Sequence, residues 1–110
     1  MQRRSRLTGS PRFSQIHQDG SSAANSLLVI RFLANDLDYC RFGFIISKRI
    51  GNAAVRNKMK RRLREAVRSN QVKAGWDALF IARGGSQKAT FQDLRQATTN
   101  LLRRTSLLDP

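Results

Sequence analysis

SKRIGNAAVRNKMKRRLREAVR, residues 47–68, decides how this chain folds and what it meets. The stretch carries Lys48, Arg49, Arg56, Lys58, Lys60, Arg61, Arg62, Arg64 and Arg68 against the single acid Glu65. Val55, Met59, Leu63, Ala66 and Val67 recur within it at helical spacing. At about 100° per residue the last four share one stripe, with Val55 at its edge. The spacing predicts a helix that packs this stripe against a sheet. Asn57, Arg61, Arg64 and Arg68 fall roughly opposite, with Lys58 and Arg62 on one flank and Arg56 and Lys60 on the other. One acid cannot balance so many cations through i to i+4 pairs, so like-charge repulsion weakens the isolated fold and a polyanion relieves it. Arginine offers forked donors for phosphate and a plane that stacks on bases, which are the needs of an RNA contact.

The rest of the composition agrees with that partner. A chain of 110 residues, 40% of them hydrophobic, makes one domain with a modest core, and a net charge of +14 selects an acidic partner, nucleic acid ahead of an anionic membrane. No apolar run reaches the roughly 18 to 20 residues of a membrane span. The longest, Leu27 to Leu33, is interrupted by Arg31. MQRRSRLTGSPRF at the start has basic residues but no apolar region after them, so no secretory signal is expected and the location is cytoplasmic. Cys40 and His17, the sole cysteine and histidine, cannot supply a disulfide or a zinc set. Asp19, Asp36, Asp38, Glu65, Asp77, Asp93 and Asp109 are scattered, with no carboxylate cluster for a two-metal nuclease, and Asp36 and Asp38 suit a turn. No Walker-type loop and no nucleophile with an assignable base occur. Leucine heptads do not follow Arg68, which excludes a zipper basic region, and strand patterns oppose a helix-turn-helix. The chain reads as an RNA-binding protein without catalytic groups of its own.

Along the chain, residues 1–9 read as a mobile basic arm. Ser10-Pro11 reads as an N-cap and first helical residue, opening a short helix to about Gln18 that presents Phe13, Ile16 and His17 and stops at Gly20. Ser21, Ser22 and Asn25 suggest a loop. Leu27 to Ala34 and Arg41 to Arg49 read as strands, joined through Asn35-Asp36-Leu37-Asp38 as an antiparallel hairpin. Gly51-Asn52 starts the basic helix, which fades near Ser69-Asn70. Asp77 to Ala82 is apolar enough to be a central strand, and Gly84-Gly85-Ser86 is a turn. Thr90 with Asp93 predicts a capping box for a last helix through Phe91, Leu94, Thr98, Leu101 and Leu102. These elements give αββαβα, an α+β sandwich of helices on a small sheet.

Lys48-Arg49-Ile50-Gly51-Asn52-Ala53, then Val55, Arg56-Asn57, Lys60-Arg61 and Arg64-Glu65 in register, resemble the signature of the bacterial ribonuclease P protein subunit family. Arg6-Leu7, Phe13, Gly20, Arg41-Phe42-Gly43 and Asp77 to Arg83 extend the likeness over nearly the whole length. The resemblance implies an αβββαβα fold with a small mixed sheet and a left-handed βαβ crossover, like ribosomal protein S5 domain 2. It implies assembly with one catalytic RNA into the endonuclease that removes the 5′ leader from precursor tRNA. Catalytic groups and most of the Mg²⁺ would belong to the RNA, with no cofactor on the protein alone, no DNA or membrane partner, and no need of a protein homo-oligomer. Carried over by position, Lys48, Arg49, Arg56, Asn57, Lys58, Lys60, Arg61, Arg62, Arg64 and Arg68 would face the catalytic RNA. Phe13, His17, Arg31, Phe44 and Lys48 would line the cleft for the single-stranded leader. His17 stands where a second phenylalanine is common in the family, and Arg31 where tyrosine is often found.

Overall fold

The basic stretch becomes a helix because its ends and its stripe are both provided for. In the computed structural model, which describes residues 5–109, the helix runs Ala53–Arg68. The Asn52 side chain accepts the Val55 N–H at 3.0 Å, satisfying a donor that the first turn leaves free. Met59, Leu63, Ala66 and Val67 are buried, the four residues of the stripe read from the sequence. In chain order the elements are α1 (Ser10–Asp19), β1 (Ser21–Ala24), β2 (Leu28–Ala34), β3 (Arg41–Ile45), α2 (Ala53–Arg68), β4 (Trp76–Ala82), a 3₁₀ turn (Ser86–Lys88) and α3 (Phe91–Arg104). Among the described residues, three α-helices and a four-stranded mixed sheet therefore follow the order αβββαβα.

The sheet order is β1-β2-β4-β3, with β4 antiparallel to β2 and parallel to β3. Pleating sends alternate residues of β4 to opposite faces. Ala78, Phe80 and Ala82 join Leu28, Ile30 and Phe42 in the main core beneath α2 and α3. Leu79 faces the other way and meets Leu7 and Ile16 in a smaller cluster under α1. A strand apolar on both faces belongs in the middle of a sheet, as the sequence indicated. The Thr90 hydroxyl accepts the Asp93 N–H at 3.1 Å while the Asp93 carboxylate accepts the Thr90 N–H at 3.2 Å, so the expected capping box starts α3.

Several local readings are corrected. β2 and β3 do not form a hairpin, because β4 lies between them and their connection passes over the start of β4. That connection is pinned by Asn35 N–H to the Gly75 carbonyl at 2.9 Å and Gly75 N–H to the Tyr39 carbonyl at 3.3 Å. Ser21–Ala24 is an edge strand, not a loop, formed by pairing with β2 in the register Ser22↔Arg31 and Ala23↔Ile30. Asn25 makes the intervening turn by accepting the N–H groups of Leu27 and Leu28. β3 stops at Ile45, and a turn in which the Ser47 carbonyl accepts the Ile50 N–H carries the chain to α2. Gly9, not Ser10, occupies the N-cap of α1, and no side chain caps it. Gly20 ends α1 at φ −77°, so it is not needed for a left-handed turn; a Cβ there would collide with the Ile16 and Phe32 carbonyl oxygens.

The expected mobile arm is packed where it is described. Arg6 bridges Phe42 on the β3 edge, the Leu7 N–H donates to the Phe42 carbonyl at 2.7 Å, and the Leu7 side chain is buried. Residues 1–4, including Arg3 and Arg4, lie outside the described part.

Two substitutions test the helix phase by thermal unfolding. Leu63→Ala, at a site with no exposed surface, is expected to cost about 2–5 kcal/mol. Met59→Asp places a charge in the same core and is expected to abolish cooperative folding. A folded Met59→Asp variant with an unchanged midpoint would place the stripe elsewhere.

Candidate nucleic-acid interface

On α2 the cations sort by exposure. Asn57, Lys58, Arg61 and Arg68 are exposed, and Lys48 and Arg49 are exposed on the turn leading into the helix. Arg56, Lys60, Arg62 and Arg64 are partly buried along the flanks. Glu65 pairs with Arg68 at 3.6 Å, both side chains more than half exposed, so the pair neutralises little. Among the described residues no other carboxylate forms an ion pair with α2. Arg64 departs from the sequence reading. Instead of standing opposite the stripe it lies one turn beyond Lys60 on the same flank, and both side chains line a groove at the β3 edge.

That groove, about 250 Å³, is floored by Phe42, Gly43 and Phe44 and closed by Arg6, Leu7 and Thr8. A second groove of about 310 Å³ lies between α1 and the open sheet face. Ile45, Leu79 and Ile81 form its apolar floor, with His17, Gln18 and Arg31 along it. Phe13 lines both grooves and stands where they meet. Gly43 permits the junction, because a Cβ there would press on Leu79 and stand 3.3 Å from the Phe13 ring.

The five cleft residues named from the sequence are thus divided. Phe13, His17 and Arg31 share the α1 groove. Phe44 points to the other face of the sheet, where its ring stacks on Phe80 with centroids 6.1 Å apart, and it reaches only the β3-edge groove. Lys48 lines neither groove. Arg31 has a task that sequence reasoning missed: its Nη2 donates to the His17 carbonyl and, at 3.5 Å, to the Ile16 carbonyl. A guanidinium at a helix C-terminus meets the carbonyls of the last turn and the negative end of the dipole. Arg31 therefore staples the end of α1 to β2.

Asp77 is the other residue that sequence reasoning missed. Its side chain has no exposed surface, yet it sits in the central strand. Arg41 donates to it twice, Nε to Oδ1 at 2.8 Å and Nη2 to Oδ2 at 2.7 Å. Arg12 Nε reaches Oδ2 at 2.7 Å and Asn35 Nδ2 reaches Oδ1 at 2.9 Å. Burial pushes the carboxyl pKa up, but the bonds from Arg41, then Asn35 and Arg12, outweigh it and hold the pKa below the ordinary value. A lone acid at the head of an apolar strand was the available signal, and Arg41 lies directly across from it in the parallel register.

The other nucleophile and metal candidates are accounted for. Cys40 is buried, its thiol donates to the Lys73 carbonyl, and burial raises its pKa, so it remains a protonated core side chain. Among the described residues no group of at least 3 His, Cys, Asp or Glu side chains could hold a metal ion, and no helix is long and apolar enough to cross a membrane.

Comparison with known proteins bears on this surface. The profile of the family described as Ribonuclease P matches residues 1–106. The ribonuclease P protein component of Alkaliphilus metalliredigens is 36% identical over 110 residues, covering 98% of this chain and 99% of that protein. That of Clostridioides difficile is 42% identical over 98 residues, covering 86% of each. Among solved structures, the Staphylococcus aureus RNase P protein superposes with a TM-score of 0.87 at 30% identity, covering 96% of this chain and 98% of that one. The Thermotoga maritima RNase P protein gives 0.84 at 33% identity, covering 90% and 96%.

Asp77 should leave a signature in stability against pH. Because its folded pKa lies below the ordinary value, its contribution is complete above that value and is lost as pH falls through the folded pKa. Asp77→Ala strands the Arg12 and Arg41 guanidiniums and is expected to cost about 3–5 kcal/mol at neutral pH. Denaturant titrations should show the gap between wild type and variant closing on acidification below the carboxylate range. A gap that stays constant into acid would show that the charge is not what holds the site.

Proposed function

The chain belongs to the ribonuclease P protein family and so is a subunit of a tRNA-processing ribonucleoprotein, and from that premise we propose that it divides its surface between two RNAs. The exposed cations of α2 and of the turn before it, Lys48, Arg49, Lys58, Arg61 and Arg68, meet phosphates of the catalytic RNA. The α1 groove takes the single-stranded 5′ leader of precursor tRNA. There the apolar floor and the Phe13 ring suit base stacking, while His17 and Gln18 border the backbone path. The observation that carries this reading is the meeting of both grooves at Phe13, with Lys60 and Arg64 lining the groove nearer α2. A strand leaving the α1 groove passes straight onto the cationic flank of α2.

In this reading the chain holds catalyst and substrate in register and leaves bond cleavage to the RNA. Buried Asp77 does not fit a metal role, since it commits both oxygens to Arg12, Arg41 and Asn35, and the described acids form no group of at least 3 that could hold a metal ion. Mg²⁺ then belongs to RNA phosphates, and the cations of α2 assist by lowering the repulsion between two RNA strands brought together. The assembly acts in the cytoplasm, on leaders endonucleolytically removed to give mature 5′ ends.

Reconstitution tests the proposal. Adding the chain to its cognate RNA at low Mg²⁺ is expected to restore 5′ processing of precursor tRNA, and no rescue by folded components would sink it. Within that assay, Arg61→Ala should leave the fold intact and lower the salt dependence of catalytic-RNA binding by about 0.7 to 0.9 in slope for each phosphate that Arg61 neutralises. An unchanged slope would remove Arg61 from the interface.

A further inference from the structure

The first helix is poorly anchored by its own packing. α1 has 10 residues, no side-chain cap, and only Ile16 among its side chains buried. A helix this short is marginal unless other contacts hold it. Its C-terminal end is held by Arg31, from β2. Its N-terminal end is held by Arg12, whose guanidinium divides its donors among three partners. Nε donates to Asp77 Oδ2 at 2.7 Å, Nη2 to the Ala34 carbonyl at 2.9 Å, and Nη1 to Gln15 at 2.8 Å.

We propose that Arg12 is a positioning residue for the leader: by clamping the N-terminal turn of α1 to buried Asp77, it sets Phe13 where the two grooves meet. This role rests on the α1 groove being the leader's site. Phe13 follows Arg12 directly, and its ring approaches Gly43, where the grooves join. Arg12 lines neither groove, and each of its three guanidinium nitrogens already donates to a protein group, so it acts on the leader through Phe13. Arg41 and Asn35 still supply Asp77 with three hydrogen bonds when Arg12 is removed. The sheet and α2 therefore survive the loss, and the N-terminal turn of α1 is what loosens. Position rather than charge is the quantity at stake, because stacking depends on where the ring lies.

The test uses the holoenzyme with long-leader precursor and with leaderless mature tRNA, comparing wild type, Arg12→Ala, Phe13→Ala and the double variant. Arg12→Gln serves as a second substitution should Arg12→Ala fold poorly. Arg12→Ala is expected to weaken binding of the long-leader precursor roughly fivefold or more, the worth of a weak base–aromatic stack. Its affinity for the catalytic RNA and for mature tRNA should be unchanged. The double variant should be no weaker than Phe13→Ala alone, the coupling expected when one residue acts through the other. Additive losses, or an equal loss with mature tRNA, would overturn the positioning role. If wild type itself bound the two substrates alike, or Phe13→Ala bound the leader normally, the leader reading would fail and the positioning role with it.

Discussion

A carboxylate with no exposed surface stands in the central strand of a protein of net charge +14, and the open face of the sheet is organised around it. A buried charge is tolerated only when paired and hydrogen-bonded, and Asp77 draws its partners from α1, from β3 and from the connection between β2 and β3. Those three elements are thereby held to one point on β4. Loss of Asp77 itself would leave the Arg12 and Arg41 guanidiniums without their carboxylate, at a large penalty. The consequence of the pairing is a fixed relation between α1 and the sheet, which leaves a groove with an apolar floor and Phe13 at one end.

The opposite face of the sheet is built differently. There α2 and α3 lie on a continuous apolar core, and α2 needs no buried ion pair because its stripe and its Asn52 cap suffice. This arrangement frees its cations. Among the described residues its exposed Lys58 and Arg61 have no carboxylate partner, so like-charge repulsion along the helix persists in the isolated chain. The two faces come together at the β3 edge, where Arg6 and Leu7 add to Phe42 and where Lys60 and Arg64 share a groove with Phe13. In the function proposed, substrate and catalyst are addressed by these adjoining surfaces of one small fold.

The features legible in the sequence were those set by local pattern. The stripe of α2, the capping box at Thr90 and the central position of β4 all follow from periodicity or from side-chain reach within a few residues. Features set by distant partners were not legible from the pattern. Ser21–Ala24 has no apolar alternation and becomes a strand only because β2 offers an edge. β2 and β3 look like a hairpin until β4, which follows them in sequence, is placed between them. Arg31 does line the α1 groove, but the commitment of its guanidinium to the end of α1 depends on a helix 14 residues away in sequence. Asp77 reads in the sequence as one of several scattered acids, because its partners lie 36, 42 and 65 residues away. Likeness to a family supplied the αβββαβα order that the pattern alone lacked one strand to reach.

The division of the surface between two RNAs is the central claim, and a tethered hydroxyl-radical source reads it directly. The source is attached at Lys58→Cys on the outer face of α2, or at Gln18→Cys beside the α1 groove, with Cys40 replaced. Cleavage is then mapped in the holoenzyme bound to precursor tRNA. Cuts from Lys58→Cys should fall in the catalytic RNA, and cuts from Gln18→Cys in the 5′ leader. If both positions cut the catalytic RNA and neither cuts the leader, the groove does not hold the substrate and the account is wrong.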